Sequence, residues 1–216
     1  MAQGGHSLKN HWYFVLKDLE DELIKNKDVI KGRVLDFGCG NKPYEELFDT
    51  SEYIGLEYDC EISRAGNKAD VFYNGKTFPF EDNSFDSVIS TQVLEHVPNP
   101  QECLNEMARV LKSGGAMIIS IPFVHEEHGS PYDFYRFSVN GIKIMLDKAG
   151  LETIQIRKLT CGIKAVVSIF LFYMSRIHVK LIKFAFILNF FGKILSEIYK
   201  SDENLYMNIF IVALKK

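Results

Sequence analysis

An open, mainly parallel α/β sheet with helices on both faces is predicted by three features of the sequence. Short apolar runs alternate with stretches of helical spacing along the chain. The first run, RVLDFG at residues 33–38, stops in a glycine-rich turn. A carboxylate, Glu57, closes the second run about 20 residues later, a spacing used by nucleoside-binding sheets.

The elements follow in order. Residues 7–28 read as a helix, with Trp12, Val15, Leu16, Leu19 and Leu23 on one face and Ser7 as its N-cap. After the first strand, PYEELF (43–48) opens a helix, with Pro43 in its first turn and two glutamates at its positive end. Residues 52–59, 69–74 and 85–92 give strands two to four. Asn99 and Pro100 start a helix that buries Leu104, Met107, Val110 and Leu111 and ends at Gly114-Gly115. Residues 116–123 form the fifth strand. Ser138 caps a helix carrying Ile142, Met145, Leu146 and Ala149, closed by Gly150. Residues 151–159 alternate as a sixth strand, and 204–216 supply the last.

The totals bound the function. A length of 216 residues suits one domain, 1–216. The net charge of −3 gives no general attraction for nucleic acid, and none is expected as a partner. Cys39, Cys60, Cys103 and Cys161 lie far apart with no CxxC pair, which argues against a zinc site or a disulfide framework and for reduced, cytosolic thiols. MAQGGHSLKN lacks the apolar core of an export signal, so a cytoplasmic location is expected.

In such a sheet, ligands sit at the carboxyl ends of the strands, where the strand order switches. There the chain reads Asp36-Phe37-Gly38-Cys39-Gly40-Asn41-Lys42-Pro43. Gly38 and Gly40 let the backbone turn sharply and approach a ligand. A dinucleotide fingerprint would place a third glycine at position 43. Pro43 instead removes an N–H that a pyrophosphate would use, and Asp36 suits a cationic ligand better than a diphosphate. Glu57 is placed to accept both hydroxyl hydrogens of a ribose.

VLDFGCGNKPY resembles motif I of the class I S-adenosylmethionine-dependent methyltransferases, and YIGLEYD resembles their second motif. FPFEDNSFDSVISTQVLEHVPNPQECLNEMARVLKSGGAMIISIPF is similar to the LPF…FD…LEH…RVLKPGG run of the type 11 group, and the likeness covers residues 34–159. The resemblance implies a Rossmann-like sheet of seven strands, mostly parallel with the last antiparallel, and S-adenosylmethionine as cofactor. It implies that Asp36 and the Gly38, Cys39 and Gly40 loop hold the methionine portion, and that Glu57 binds the ribose. Tyr58 would lie beside the adenine, Asn74 would receive its amino group, and Gln92 would touch the amino-acid end. Two positions depart from the pattern: Lys42 replaces a small residue and Asn74 an acid, although an asparagine oxygen also accepts a hydrogen bond.

The acceptor is expected after strand five, on residues 124–137, VHEEHGSPYDFYRF. The spacing of His128, Pro131, Asp133 and Arg136 resembles a type 11 branch linked to surface glycans or lipid-linked substrates. His128 and His125 are candidate general bases. Arg136 either pairs with a carboxylate or phosphate of the acceptor or braces the loop through Asp133. His125, Glu126 and His128 match no common zinc spacing, and no metal is expected. In the LEH run, His96 either reaches the active site or braces the following helix.

Residues 160–203 form an apolar helical insertion between strands six and seven, emerging beside the acceptor pocket. Its apolar runs, 165–175 and 184–195, fall short of the roughly 20 residues that cross a bilayer. Arg176, His178, Lys180 and Lys183 separate them, with Lys164 and Lys193 nearby. Four roles fit 164–195: peripheral contact with the inner face of a membrane, a greasy lid over a lipid acceptor, a lid that packs on its own domain, or a homodimer surface. The chain is thus expected to transfer a methyl group to a small-molecule, lipid-linked or glycan acceptor. The alternatives are a nicotinamide-dependent oxidoreductase and a non-catalytic donor-binding module.

Overall fold

The computed structural model describes residues 7–66, 68–177, 184–199 and 202–216. Among them, seven strands form one sheet: β1 (Gly32–Phe37), β2 (Thr50–Tyr58), β3 (Val71–Tyr73), β4 (Phe85–Thr91), β5 (Leu111–Pro122), β6 (Leu151–Cys161) and β7 (Tyr206–Lys215), in the order β3-β2-β1-β4-β5-β7-β6. Only β7 runs against its neighbours. The helices are α1 (Tyr13–Lys25), α2 (Glu61–Gly66), α3 (Pro100–Val110), α4 (Val139–Lys148), α5 (Ile163–Ile177) and α6 (Ala185–Ile198). The expected fold class is therefore observed, including the helical insertion before the last strand.

The strands read as near-continuous apolar runs because both sheet faces are covered. Successive side chains alternate between faces. Leu35, Phe37, Val88, Met117 and Ile119 pack on one side with Leu104 and Met107 of α3 and Ile142 and Leu146 of α4. Val34, Ile89 and Ile118 pack on the other with Leu19 and Leu23 of α1. The chain reverses its direction of winding between β1 and β4, which leaves a crevice at their carboxyl ends.

Several boundaries differ from the sequence expectation. The first helix starts at Tyr13 rather than after Ser7, whose hydroxyl accepts from the Lys9 amide in a preceding turn. The Asn10 side chain accepts from the Trp12 amide, and that local turn delays the helix. PYEELF forms one 3₁₀ turn, Glu45–Leu47, because the chain must extend at Phe48 to bury it and enter β2 at Thr50. Helix α3 ends at Val110, before the glycines. Lys215 Nζ donates to the carbonyls of Arg109 and Leu111, satisfying the helix end, and Gly114-Gly115 fall inside β5. Ser138 does cap α4, accepting from the Gly141 amide at 3.1 Å.

Candidate active site

The residues expected to hold the donor lie around the crevice at the ends of β1, β2, β3 and β4. Strand β1 delivers Asp36, and the turn after it is held to β2 by Gly38 N–H donating to the Leu56 carbonyl at 2.8 Å. Gly38 has φ 73°, and an added Cβ would lie 2.2 Å from Val93, so only glycine fits. At Gly40 (φ 51°) a Cβ would meet nothing within 4 Å. The backbone there faces open space across which a ligand can approach.

Glu57 closes this turn. Its Oε1 accepts the Gly40 N–H at 2.7 Å, so the acid latches the loop to the end of β2. Burial raises its pKa, opposed by the hydrogen bonds from the Gly40 and Tyr58 amides. Tyr58 is 51% exposed, its ring bordered by Gly75, where a side chain would crowd it at 3.0 Å. Asn74 sits beside it, exposed, with Oδ1 accepting from the Lys76 amide. Cys39 is buried under the loop. Gln92, at φ 56°, donates from Nε2 to Ser120 Oγ at 2.7 Å, holding the end of β4 against β5.

Asp36 lies behind the loop, 4% exposed, where Tyr53 Oη donates to it at 2.8 Å. Burial pushes its pKa up to about 7, only partly offset by Tyr53. Lys42 explains its own departure from the pattern. Its φ of 52° is the left-handed backbone a small residue would adopt easily, and its side chain turns away to Asp70 at 2.5 Å and the Tyr53 carbonyl. Asp70 also accepts from the Gly55 amide at 2.7 Å, so the lysine ties the loop to β2.

The acceptor-side loop, residues 124–137, is internally braced. Arg136 gives two bonds to Asp133 (2.6 and 2.8 Å) and others to the carbonyls of His125, Glu126 and Tyr135. Its guanidinium is thus committed inside the loop, and it holds the Asp133 carboxyl well below the ordinary range. His125 packs against Trp12 (centroids 5.1 Å) and Phe172 (5.2 Å), and burial lowers its pKa to about 4. So weak a base at neutral pH suits packing better than proton transfer. His128 stands 4.4 Å from it, ring to ring, with Nδ1 3.0 Å from the Glu126 carbonyl.

His96 braces the acceptor loop rather than the following helix. Its Nδ1 lies 2.7 Å from the Tyr132 carbonyl, because the 3₁₀ turn Leu94–His96 projects it across the strand end before α3 begins. Glu95 beside it is fully buried, and burial raises its carboxyl to about 8. Sequence reasoning did not place three residues here: Tyr53, which holds Asp36; Trp12, which stacks on His125; and Glu95 as a buried acid. The LEH run signalled Glu95; Trp12 and Tyr53 looked like ordinary core residues.

Helix α5 reaches the same loop. Arg176 pairs with Glu126 at 2.8 Å and donates to the Glu127 carbonyl. Helix α6 is anchored by Asn189 Nδ2, which donates to the carbonyls of Leu8 and Asn10. Lys164 pairs with Asp18. Of the basic residues between the apolar runs, His178, Lys180 and Lys183 lie outside the described residues. The outer surface of the helix pair exposes Phe170, Tyr173, Phe186, Phe190 and Phe191. Among the described residues, no helix is long and apolar enough to cross a membrane.

Known proteins match this arrangement. The type 11 family described as a methyltransferase domain matches residues 35–119. An uncharacterised protein of Methanocaldococcus jannaschii is 29% identical over 150 residues, 63% of this chain and 72% of its own. An uncharacterised methyltransferase of a Mycobacterium species is 38% identical over 94 residues, and the match spans 40% of this chain and only 37% of that protein's length. The solved structure of geranyl diphosphate C-methyltransferase from Streptomyces coelicolor superposes with a TM-score of 0.62 at 16% identity, covering 94% of this chain and 80% of that one. The latched glycine turn at the switch point lies within the stretch, residues 35–119, that is similar to the type 11 methyltransferase domain, and the sheet around it shares the fold of the solved methyltransferase.

Proposed function

We propose that this protein transfers a methyl group from S-adenosylmethionine to an apolar, lipid-linked acceptor. The observation that carries the donor half is the Gly40–Glu57 latch with open space over Gly40. When bound, S-adenosylmethionine supplies a methyl group already activated on a sulfonium. Asp36 and the Gly38–Gly40 loop would hold the methionine portion and Glu57 the ribose. Tyr58 and Asn74 would border the adenine, and Gln92 would reach the amino-acid end. The chain's main task is then alignment, because in-line displacement needs little else from the protein. A base is needed only if the acceptor loses a proton. His128 is the better candidate, since His125 is packed against aromatic rings.

The acceptor class is argued from α5 and α6. Their exposed aromatic surface joins the acceptor loop through Arg176 and Glu126. An apolar chain held against that surface would present its head group at the crevice. The Streptomyces coelicolor neighbour was solved with geranyl diphosphate, which joins an apolar chain to a polar head.

Titration calorimetry with S-adenosylhomocysteine and, separately, NAD tests the donor half. Binding of the first alone is expected; preference for NAD would end the reading. Turnover across acceptors of increasing chain length tests the other half, with KM expected to fall as the chain grows. A KM independent of chain length would exclude the apolar acceptor.

A further inference from the structure

A buried glutamate and two histidines meet where the end of β4 faces the acceptor loop. Glu95 is fully buried, and among the described residues neither of its carboxylate oxygens has a hydrogen-bond partner on another residue. Buried carboxylates normally have partners, because an unpaired one is costly. His96 Nε2 stands 3.9 Å from Glu95 Oε1. One ligand atom from each of Glu95, His96 and His128 lies within 4.8 Å of the others.

Both imidazoles are oriented from behind. His96 Nδ1 faces the Tyr132 carbonyl at 2.7 Å, and His128 Nδ1 faces the Glu126 carbonyl at 3.0 Å. A carbonyl only accepts, so these contacts favour the proton on each Nδ1 and a lone pair on each Nε2; at His128 the carbonyl at 3.0 Å outweighs Arg136 Nη2, 3.5 Å from the same Nδ1. Asp133 Oδ2, 3.5 Å from the same His128 Nδ1, favours that tautomer too. Backbone carbonyls and carboxylates behind Nδ1 are the usual outer shell of a metal-binding histidine. Arg136, the nearby cation, is taken up by Asp133 and makes no bond to Glu95.

We propose that Glu95, His96 and His128 bind a divalent transition-metal ion, with zinc the best match, in a two-histidine, one-carboxylate site. Metal–ligand bonds of about 2.0–2.2 Å set tetrahedral ligand atoms roughly 3.4 Å apart. The widest pair must therefore close by about 1.4 Å on binding, a shift within reach of side-chain rotation. The histidine side chains are 31% and 29% exposed, so the ion can enter from solvent. Three protein ligands leave a fourth position open, as in catalytic sites, beside the acceptor loop. With the ion in place, His128 is a ligand rather than a base. The ligands come from two separate loops, which is why no zinc spacing marks them in the sequence. The inference does not depend on the donor reading.

The test is calorimetry with ZnCl2 on the full chain after chelation and desalting, with Co2+ absorption as a spectroscopic readout. One equivalent is expected to bind, with visible cobalt bands of low coordination number. Glu95→Gln and His128→Ala should each weaken binding by at least the roughly 10–100-fold that outer-shell changes cost. His125→Ala should keep the full affinity. Circular dichroism checks the fold of every variant, and Gln conserves the shape at position 95. No binding by the wild-type chain would overturn the site. So would undiminished affinity in Glu95→Gln and His128→Ala, or a loss in His125→Ala as large as theirs. S-adenosylhomocysteine affinity on the same samples keeps the two proposals separable, since either can fail alone.

Discussion

The two sides of the crevice are built differently. The donor side is made of strand ends. Asp36, Gly38, Glu57 and Tyr58 sit on or directly after β1 and β2, whose register fixes their spacing. The other side is made of a braced loop, residues 124–137, and two helices, α5 tied to that loop through Arg176 and α6 tied to the segment before α1 through Asn189. The matched family domain ends at residue 119, before that loop begins. Under the proposed function, the common donor would be met by sheet geometry and the variable acceptor by loop and insertion.

The largest expected effect tests the donor side through pH. In the folded chain Asp36 keeps its proton up to about 7, whereas its ordinary pKa is 3.8. Between those values the folded state binds more protons, so Asp36 lowers stability as pH rises from about 4 to 7. Asparagine does not ionise. Asp36→Asn should therefore gain on the wild type across that window, by on the order of 4 kcal/mol in denaturant unfolding. A constant difference from pH 4 to 8 would show that Asp36 is not held in a low-dielectric site.

Next in size, Arg136→Ala should cost about 2–3 kcal/mol of stability while sparing S-adenosylhomocysteine affinity. It strips the main partner from Asp133, whose side chain is 3% exposed, although the His128 amide still donates to it. Loss of donor binding in this variant would erase the contrast between the two sides. Glu57→Ala should do the reverse, weakening that ligand by about 30-fold, or roughly 2 kcal/mol, through loss of charged hydrogen bonds. Calorimetry with unchanged affinity would remove Glu57 from the site. Smallest, Phe186→Ser with Phe190→Ser should shift stability by less than about 1 kcal/mol, since both rings are over 40% exposed. The same pair should lower sedimentation with phospholipid vesicles, and equal sedimentation would leave the exposed surface without a membrane role.

The sheet and the glycine turn were legible because continuous apolar strand runs, glycine at forced positive φ and an acid at a strand end are all local signals. Gly38 and Glu57 could be read one residue at a time. The acceptor side resisted for a physical reason: its meaning lies in pairings distant in sequence. Nothing near Trp12 says that it stacks on His125, and nothing near Glu95 says that its carboxylate is buried. Arg136 left two readings open, and the bonds to Asp133 show how its guanidinium is used. The first helix and the PYEELF turn were overread because local hydrogen bonds at Asn10 and burial of Phe48 outweighed helical spacing.

The ion pair from Arg176 to Glu126 has a mechanical consequence. It ties the far end of a greasy helix to the segment that carries both His125 and His128. Under the proposed function, a displacement of that helix by an entering apolar chain would be transmitted to the backbone between the two imidazoles. One guanidinium would then couple the position of that helix to the loop carrying the imidazoles, with no moving domain required.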